Sequence, residues 1–258
     1  MELKRGDLVT RISYNHDTVF KITNIKNDIY YLKGIEVRLY ADAEKSDLIK
    51  YKEIEQEEKE EDSDEELILD RTEYFYIPGT ILHIDGDKEY LDKCLNYYKK
   101  KGIYAIGKKI SEDHIYENIL NLLNEFKPDI IIITGHDAYY PKKGNVKDLN
   151  NYRNSSNFIK AVKKARAYEK SHEKLIIIAG ACQSNYEELI KAGANFASSP
   201  KRINIHALDP AIIASTLALT EKNKEINLIE LLDKTKYGHD GMGGIKCSGL
   251  MYVGFPRE

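Results

Sequence analysis

The sequence predicts an α/β protein in which helices flank a mostly parallel sheet, preceded by a small SH3-like β-barrel. The first 40 residues carry short β-rich runs separated by polar turns, a pattern typical of a compact antiparallel unit. From Thr80 onward, apolar runs alternate with amphipathic segments, which is the order of strands and helices in a parallel sheet. The charged run "KEIEQEEKEEDSDEELI" lies between the two parts and indicates a flexible connector or a solvated helix.

The β-rich runs define the first domain. They are "DLVTRI", "TVFKITNI", "IYYLKGI" and "VRLYA", and the polar segments "SYNHD" and "KND" interrupt them. We therefore expect the barrel over residues 1–45, an acidic linker over 46–70 and the α/β domain over 71–258.

The elements of the α/β domain follow one another regularly. A strand that ends in carboxylates, "TILHIDGD", precedes the helix "KEYLDKCLNYYKKKG". A second strand, "IYAIGKKI", precedes the helical segment "SEDHIYENILNLLNEF", whose Ser111 is a capping-type residue. The third strand is "PDIIIITGHD", a helix follows over about 155–170, and the fourth strand is "KLIIIAGAC". The helix "PAIIASTLALT" lies between two shorter strands, "ANFASSP" and "GLMYVGF".

Composition limits the function classes. The chain has 258 residues, 42% hydrophobic and 31% charged, with a formal net charge of −3. These values predict a globular protein and give no reason to expect nucleic-acid binding. The start lacks the apolar core of a signal peptide and no run approaches the roughly 18 apolar residues of a spanning helix, so we expect an intracellular protein that does not bind a membrane. Three scattered cysteines predict neither a disulfide framework nor a metal site.

Two candidate catalytic residues end successive apolar strands. The third strand ends in His136 and the fourth in Cys182, and carboxyl ends of parallel strands collect ligands at one edge of a sheet. Cys182 also precedes "QSNYEEL", a helix start with Ser184 or Asn185 as cap, whose dipole favours a thiolate. The residues therefore allow a Cys/His pair. A small core cysteine and a structural histidine are the alternatives that they leave open.

At these residues the chain resembles known peptidases. An apolar strand ending in His, followed by one ending in Ala-Cys, is similar to the caspase-like (clan CD) cysteine peptidases. Over nearly its whole length the chain resembles the YabG family of sporulation-specific peptidases. That resemblance is carried by the segments "KRGDLVTRISYNHDTVFKI", "YYLKGIEVRLYADA", "ILHIDGD", "IIIITGHDAYY", "IIIAGACQSNYEELIKAGANFASSPKRINIHALDP" and "GHDGMGGI".

The resemblance implies roles for individual residues. Cys182 is then the nucleophile and His136 its partner, and the backbone N–H groups of Cys182 and Asp137 form the oxyanion hole, although caspase-like enzymes usually have Gly at the position of Asp137. The pocket for the residue before the scissile bond draws on the end of the first strand and on segments beyond the nucleophile. Asp85, Asp87 and Asp209 are its acidic candidates, and helix capping is the alternative role for each of them.

The expected function is that of a cysteine endopeptidase without cofactor or metal. The resemblance implies cleavage after Arg in spore-coat and other spore-associated proteins, in the mother-cell cytoplasm and the spore coat, with the oligomeric state left open. A non-peptidase acyl-transfer enzyme could use the same Cys/His pair. A non-catalytic binding module, with "HIDGD" as an acidic pocket, is the second alternative.

Overall fold

The computed structural model describes residues 3–51, 73–141 and 144–257. The chain divides into two compact units, one of residues 1–76 with 253–258 and one of residues 77–252. The predicted linker over 46–70 lies mostly outside the described residues. No helix in the described ranges has the length and apolar character that crossing a membrane requires.

The first unit is built on an antiparallel sheet. Its strands are β1 (Leu8–Arg11), β2 (Phe20–Lys26), β3 (Ile29–Gly34), β4 (Tyr40–Glu44) and β5 (Leu48–Lys50). The order across the sheet is β4-β3-β2-β1-β5. The antiparallel unit confirms the sequence prediction, but in the part of the chain that the structure describes β4 and β5 do not pair, so no closed barrel forms. The sheet also extends to Lys50, beyond the boundary predicted at residue 45.

Local sequence explains this sheet. Asn27 and Asp28 join β2 to β3 with φ values of 48° and 59°, the left-handed conformation at both central residues that a type I′ hairpin turn requires. Alternate residues of the strands point inward, and a small core forms around Val9, Phe20 and Leu32.

The second unit contains the parallel sheet. Two further strands, β6 (Phe75–Ile77) and β13 (Tyr252–Gly254), pair with each other in a separate two-stranded sheet. The strands of the main sheet are β7 (Ile81–Asp85), β8 (Ala105–Lys109), β9 (Ile130–Thr134), β10 (Ile176–Ala179), β11 (Phe196–Ser198) and β12 (Met242–Gly244). Their order is β12-β11-β10-β9-β7-β8. Only β12 runs antiparallel to its neighbour, so the predicted mixed α/β fold with a mostly parallel sheet is confirmed.

Helices cover both faces of this sheet. They are α1 (Lys88–Lys100), α2 (Ile115–Phe126), α3 (Ser155–Tyr168), α4 (Tyr186–Lys191), α5 (Asp209–Leu219), α6 (Leu228–Asp233) and α7 (Gly238–Gly241). The central strands β7, β9 and β10 are wholly buried. One face packs in a common core with α2, α3 and α4, while α1 and α5 contact the sheet and each other. This double cover explains the continuous apolar strands.

Two predicted details differ. The segment "GLMYVGF" does supply a strand, β13, but it pairs with β6 outside the parallel sheet. The sixth strand of the main sheet is instead β12, whose sequence Met-Gly-Gly has no apolar run to signal it. Gly244 is required there because a Cβ atom would lie 2.4 Å from the ring of Phe196 in the adjacent strand.

Candidate active site

The site lies where the central strands end. The order β10-β9-β7 places the carboxyl ends of these parallel strands side by side. In the ladder between β9 and β10 every pair is 46 residues apart, from Ile130–Ile176 to Ile133–Ala179. His136 and Cys182 have the same separation. Both residues therefore leave the sheet at the same level, three residues past the last pair of the ladder.

Two carboxylates flank the ring of His136. Its Nε2 lies 3.7 Å from Oδ2 of Asp87, and its Nδ1 lies 3.5 Å from Oε1 of Glu112. The ring of Tyr90 stands against it at a centroid distance of 5.8 Å. The imidazole is mostly enclosed, with 12% of the side chain exposed.

Glu112 was not among the predicted site residues. Ser111 was expected to cap a helix, but α2 begins at Ile115. The four residues before α2 instead form a turn closed by a hydrogen bond from the N–H of His114 to the carbonyl of Ser111. From this turn Glu112 accepts a hydrogen bond of 2.7 Å from the backbone N–H of His136. Burial raises the pKa of Glu112, but the hydrogen bonds from the side chain and backbone of His136 outweigh it and lower the pKa.

The carboxylate of Asp137 lies in the interior, where four donors bind it. It is buried and accepts hydrogen bonds from Ser155 Oγ at 2.5 Å, Ser184 Oγ at 2.9 Å, and the N–H groups of Asn154 at 2.7 Å and Ala138 at 2.9 Å. Burial is the main cause that raises the pKa of Asp137, and these donors only partly offset it. The backbone N–H of Asp137 has no acceptor within the described ranges.

Cys182 lies in the loop after β10 and is fully buried. Its Sγ accepts a hydrogen bond of 3.3 Å from the N–H of Ile205 and lies 3.8 Å from the carbonyl oxygen of the same residue. The next residue, Gln183, has a φ of 58°, which costs a non-glycine residue conformational energy. Hydrogen bonds from the N–H of Gln183 to the Ile203 carbonyl and to Ser199 Oγ hold this sharp turn.

The helix after the loop of Cys182, α4, begins four residues beyond the cysteine, at Tyr186. Asn185 caps α4, its side chain accepting from the N–H of Glu188 at 3.2 Å. Of the two predicted caps, Asn185 therefore has this role, while Ser184 binds Asp137 and accepts from the N–H of Ala181.

Side chains tie the histidine loop to the cysteine loop. Asp137 reaches Ser184, and Gln183 Oε1 accepts from the N–H of Tyr139 at 3.2 Å. Ser155 connects both, since its hydroxyl donates to Asp137 and accepts from the N–H of Asn185 at 2.8 Å. These bonds fix the two loops relative to each other.

Of the two aspartates at the end of the first strand, Asp87 lies next to His136. Asp85 is buried and accepts from the N–H of Asp87 and from Thr134 Oγ1, both at 2.7 Å. Asp87 caps α1 through Oδ1, which accepts from the N–H of Glu89 at 2.9 Å, while its Oδ2 faces His136.

Asp209 is buried at the start of α5. Its two oxygens accept from the N–H of His206 at 2.9 Å and from the N–H of Lys236 at 3.0 Å. It therefore anchors the loop that carries Ile205, the residue in contact with Cys182. On the same loop the carbonyl of Ala207 accepts from the thiol of Cys94 at 3.5 Å, which links the loop to α1.

Comparison with known proteins covers the whole chain. The family model described as YabG peptidase U57 matches residues 4–256. The chain is 42% identical over 288 aligned residues to the protein named sporulation-specific protease YabG from Bacillus subtilis (strain 168). That alignment covers 100% of this chain and 99% of the relative.

Proposed function

Because the chain belongs to the YabG peptidase family, we propose that it is a cysteine endopeptidase in which Cys182 and His136 form the catalytic dyad. The family membership, which confirms the resemblance drawn from the sequence, makes the protein a peptidase. The observation that carries the cysteine mechanism is the common level of His136 and Cys182 past the ladder of β9 and β10. A thiol and an imidazole at one sheet edge are the groups that nucleophilic acyl transfer requires.

The proposed reaction proceeds in two steps. The thiol proton of Cys182 passes to His136, and the thiolate attacks the carbonyl carbon of the scissile bond. The carbon–nitrogen bond breaks, the departing amine takes the proton from the imidazolium, and a thioester remains on Cys182. Water then attacks the thioester, giving its proton through His136 to the sulfur, which releases the acid product and restores the thiol.

An oxyanion site accompanies the dyad. The backbone N–H of Asp137 has no acceptor among the described residues, so it is available to a tetrahedral intermediate, with the N–H of Cys182 as the second donor. The carboxylate of Asp137 is held by hydrogen bonds from Ser155 and Ser184 in the interior. It therefore does not repel an oxyanion bound at the backbone N–H of the same residue. Loss of one such donor typically lowers the rate by about 10²- to 10³-fold.

We further propose that the enzyme cleaves after Arg. Asp85, Asp87 and Asp209 are buried. The first two lie at or just past the end of β7, where Asp87 faces His136, and Asp209 begins α5 and anchors the loop whose Ile205 contacts Cys182. A guanidinium forms two parallel hydrogen bonds to a carboxylate and is desolvated at lower cost than an ammonium. A carboxylate pocket therefore favours Arg over Lys.

The biological substrates proposed are spore-coat and other spore-associated proteins, cleaved in the mother cell and the spore coat. The name of the Bacillus subtilis relative, a sporulation-specific protease, supports this setting. Incubation of the purified protein with a mixed peptide library, with cleavage sites read by mass spectrometry, tests the function. Cleavage after Arg that is lost in Cys182→Ala supports the proposal, whereas transfer or hydrolysis of acyl groups without peptide cleavage would favour the non-peptidase alternative.

A further inference from the structure

Glu112 reaches the histidine from an unexpected part of the chain. It lies in the turn between β8 and α2, 24 residues before His136. Because β8 pairs with β7 and β7 pairs with β9, the carboxyl end of β8 opens at the same edge of the sheet as the dyad. The carboxylate of Glu112 accepts the backbone N–H of His136 at 2.7 Å, and its Oε1 stands 3.5 Å from Nδ1 of the same residue.

Two glycines form a slot for this carboxylate. A Cβ atom at Gly86 would lie 2.3 Å from Oε1 of Glu112, and one at Gly135 would lie 2.4 Å from the same oxygen. Real Cβ contacts are not found so close, so any other residue at either position would displace Glu112. The ends of β7 and β9 are therefore shaped around a side chain that contacts His136 at two points.

Asp87 and Glu112 contact different atoms of His136. Asp87 faces Nε2 at 3.7 Å, beyond hydrogen-bond distance, and its other oxygen caps α1. Glu112 instead holds both the backbone and Nδ1 of His136. A distance of 3.5 Å is long for a hydrogen bond, but such contacts in unliganded active sites commonly shorten when substrate binds.

We propose that Glu112 is a positioning residue that orients His136 and stabilises its imidazolium during proteolysis. This proposal rests on the proposed Cys182–His136 dyad. An acceptor at Nδ1 keeps the proton on that nitrogen and leaves Nε2 to exchange a proton with the thiol and the leaving amine. The negative charge of Glu112 matters most when the ring is positively charged, between thiolate formation and amine release.

The test compares Glu112→Gln with wild type on an arginine peptide. Glutamine fills the same slot and still accepts the backbone N–H of His136, so only the charge is lost. We expect kcat to fall about tenfold or more, with KM changed less than about threefold, as for other groups that orient a catalytic residue. The control is Glu117→Gln, an exposed glutamate of α2 that pairs with His114, for which we expect wild-type kinetics.

A second comparison separates positioning from a structural role. Glu112→Gln is combined with His136→Ala, and the residual hydrolysis of an activated arginine ester is measured at a temperature at which circular dichroism shows every variant folded. If Glu112 acts through His136, it causes no further loss in that background. An unchanged kcat in the single variant, or an equal loss in the His136→Ala background, would overturn the proposal. Full activity of Cys182→Ala in the same assay would instead overturn the dyad.

Discussion

His136 and Cys182 each stand three residues past Ile133 and Ala179, the last pair of the ladder between β9 and β10. A parallel ladder keeps its register, so two strands with one fixed offset deliver side chains to the sheet edge at equal height. The relationship brings the proposed nucleophile and its proposed base to corresponding positions past the ladder, without any insertion or bulge in the paired part of either strand. The loops beyond the ladder are then held by Asp137 and Gln183.

Asp137→Ala is expected to destabilise the protein and to reduce its activity. The substitution leaves the hydroxyls of Ser155 and Ser184 and two backbone N–H groups without their common acceptor. Buried donors that lose a charged partner cost about 1.5–3 kcal/mol each, not additively, so we expect a loss of about 3 kcal/mol in the free energy of unfolding, measured in urea.

The matched control for Asp137 is Asp148→Ala in the same loop region. Asp148 is exposed and accepts one hydrogen bond, from the N–H of Asn150, so its loss should cost about 1 kcal/mol or less. Equal effects of the two substitutions would show that the Asp137 network does not hold the histidine and cysteine loops together.

Substitution of the aspartates proposed to line the substrate pocket should change substrate preference. Asp85, Asp87 and Asp209 are each replaced by alanine. We expect the variant that lacks the substrate-binding carboxylate to cleave after Arg more slowly by orders of magnitude, because the guanidinium loses its charged partner. Alkylation of Cys182 by a small reagent should continue, which separates loss of binding from loss of the nucleophile. The assay compares kcat/KM for peptides with Arg and with a neutral residue before the scissile bond.

Asp92→Ala is the control for that series, since Asp92 is an exposed residue of α1 paired with Lys88. It should keep the wild-type preference. If the alanine variants of all three buried aspartates also keep the preference for Arg, the pocket lies elsewhere in the molecule.

The ionisation of Glu112 should make part of the stability depend on pH. Its folded-state pKa is lowered, against the effect of burial, by hydrogen bonds from His136. Its contribution is therefore present above the unfolded-state value of about 4.3 and disappears as the pH falls through the lower folded-state pKa. The difference in free energy of unfolding between wild type and Glu112→Gln should thus be largest near neutral pH and shrink below about pH 4. A difference that grows on acidification would contradict the lowered pKa.

Limited proteolysis tests the predicted domain division. Charge-rich segments bury little apolar surface, so an external protease should cut first between about residues 45 and 70. Mass spectrometry of the early fragments locates the cuts. Preferential cleavage within 175–190, which contains the buried strand β10, would count against this division.

The three central strands, β7, β9 and β10, were predictable because of their burial. A parallel strand covered on both faces has to be apolar throughout, and "IIII" at 130–133 and "LIII" at 175–178 therefore mark β9 and β10 directly. Strand β12 was missed because its sequence, Met-Gly-Gly, has no hydrophobic pattern. Glycine is present at Gly244 because Phe196 of β11 leaves no space for a side chain there.

The strand-end positions of His136 and Cys182 were also predictable from sequence, while their surroundings were not. Both residues follow recognisable apolar strands that pair directly, so their equal position past the ladder follows from strand order. The location of Glu112 beside His136 depends on the pairing of β8 with β7. Its segment reads instead as a helix start capped by Ser111, although α2 begins only at Ile115. The inward direction of the Asp137 carboxylate depends on Ser155 and Ser184, residues 18 and 47 positions away in sequence, and no local pattern indicates such partners.

His136→Ala should abolish turnover of an arginine peptide and leave the fold intact. The substitution removes the group that we propose takes the thiol proton and protonates the leaving amine. Circular dichroism and thermal unfolding check the fold. Wild-type turnover by this variant would mean that another group carries the proton.

The most direct measurement is the turnover of an arginine peptide by purified Cys182→Ala, with Cys247→Ala as the control. Cys247 is only partly buried, its pKa is raised mainly by burial, and it contacts Asn195 away from His136. We predict that Cys182→Ala has no detectable peptidase activity while Cys247→Ala retains wild-type kcat/KM. Proteolysis at the wild-type rate by folded Cys182→Ala would contradict the assignment of Cys182 as the nucleophile.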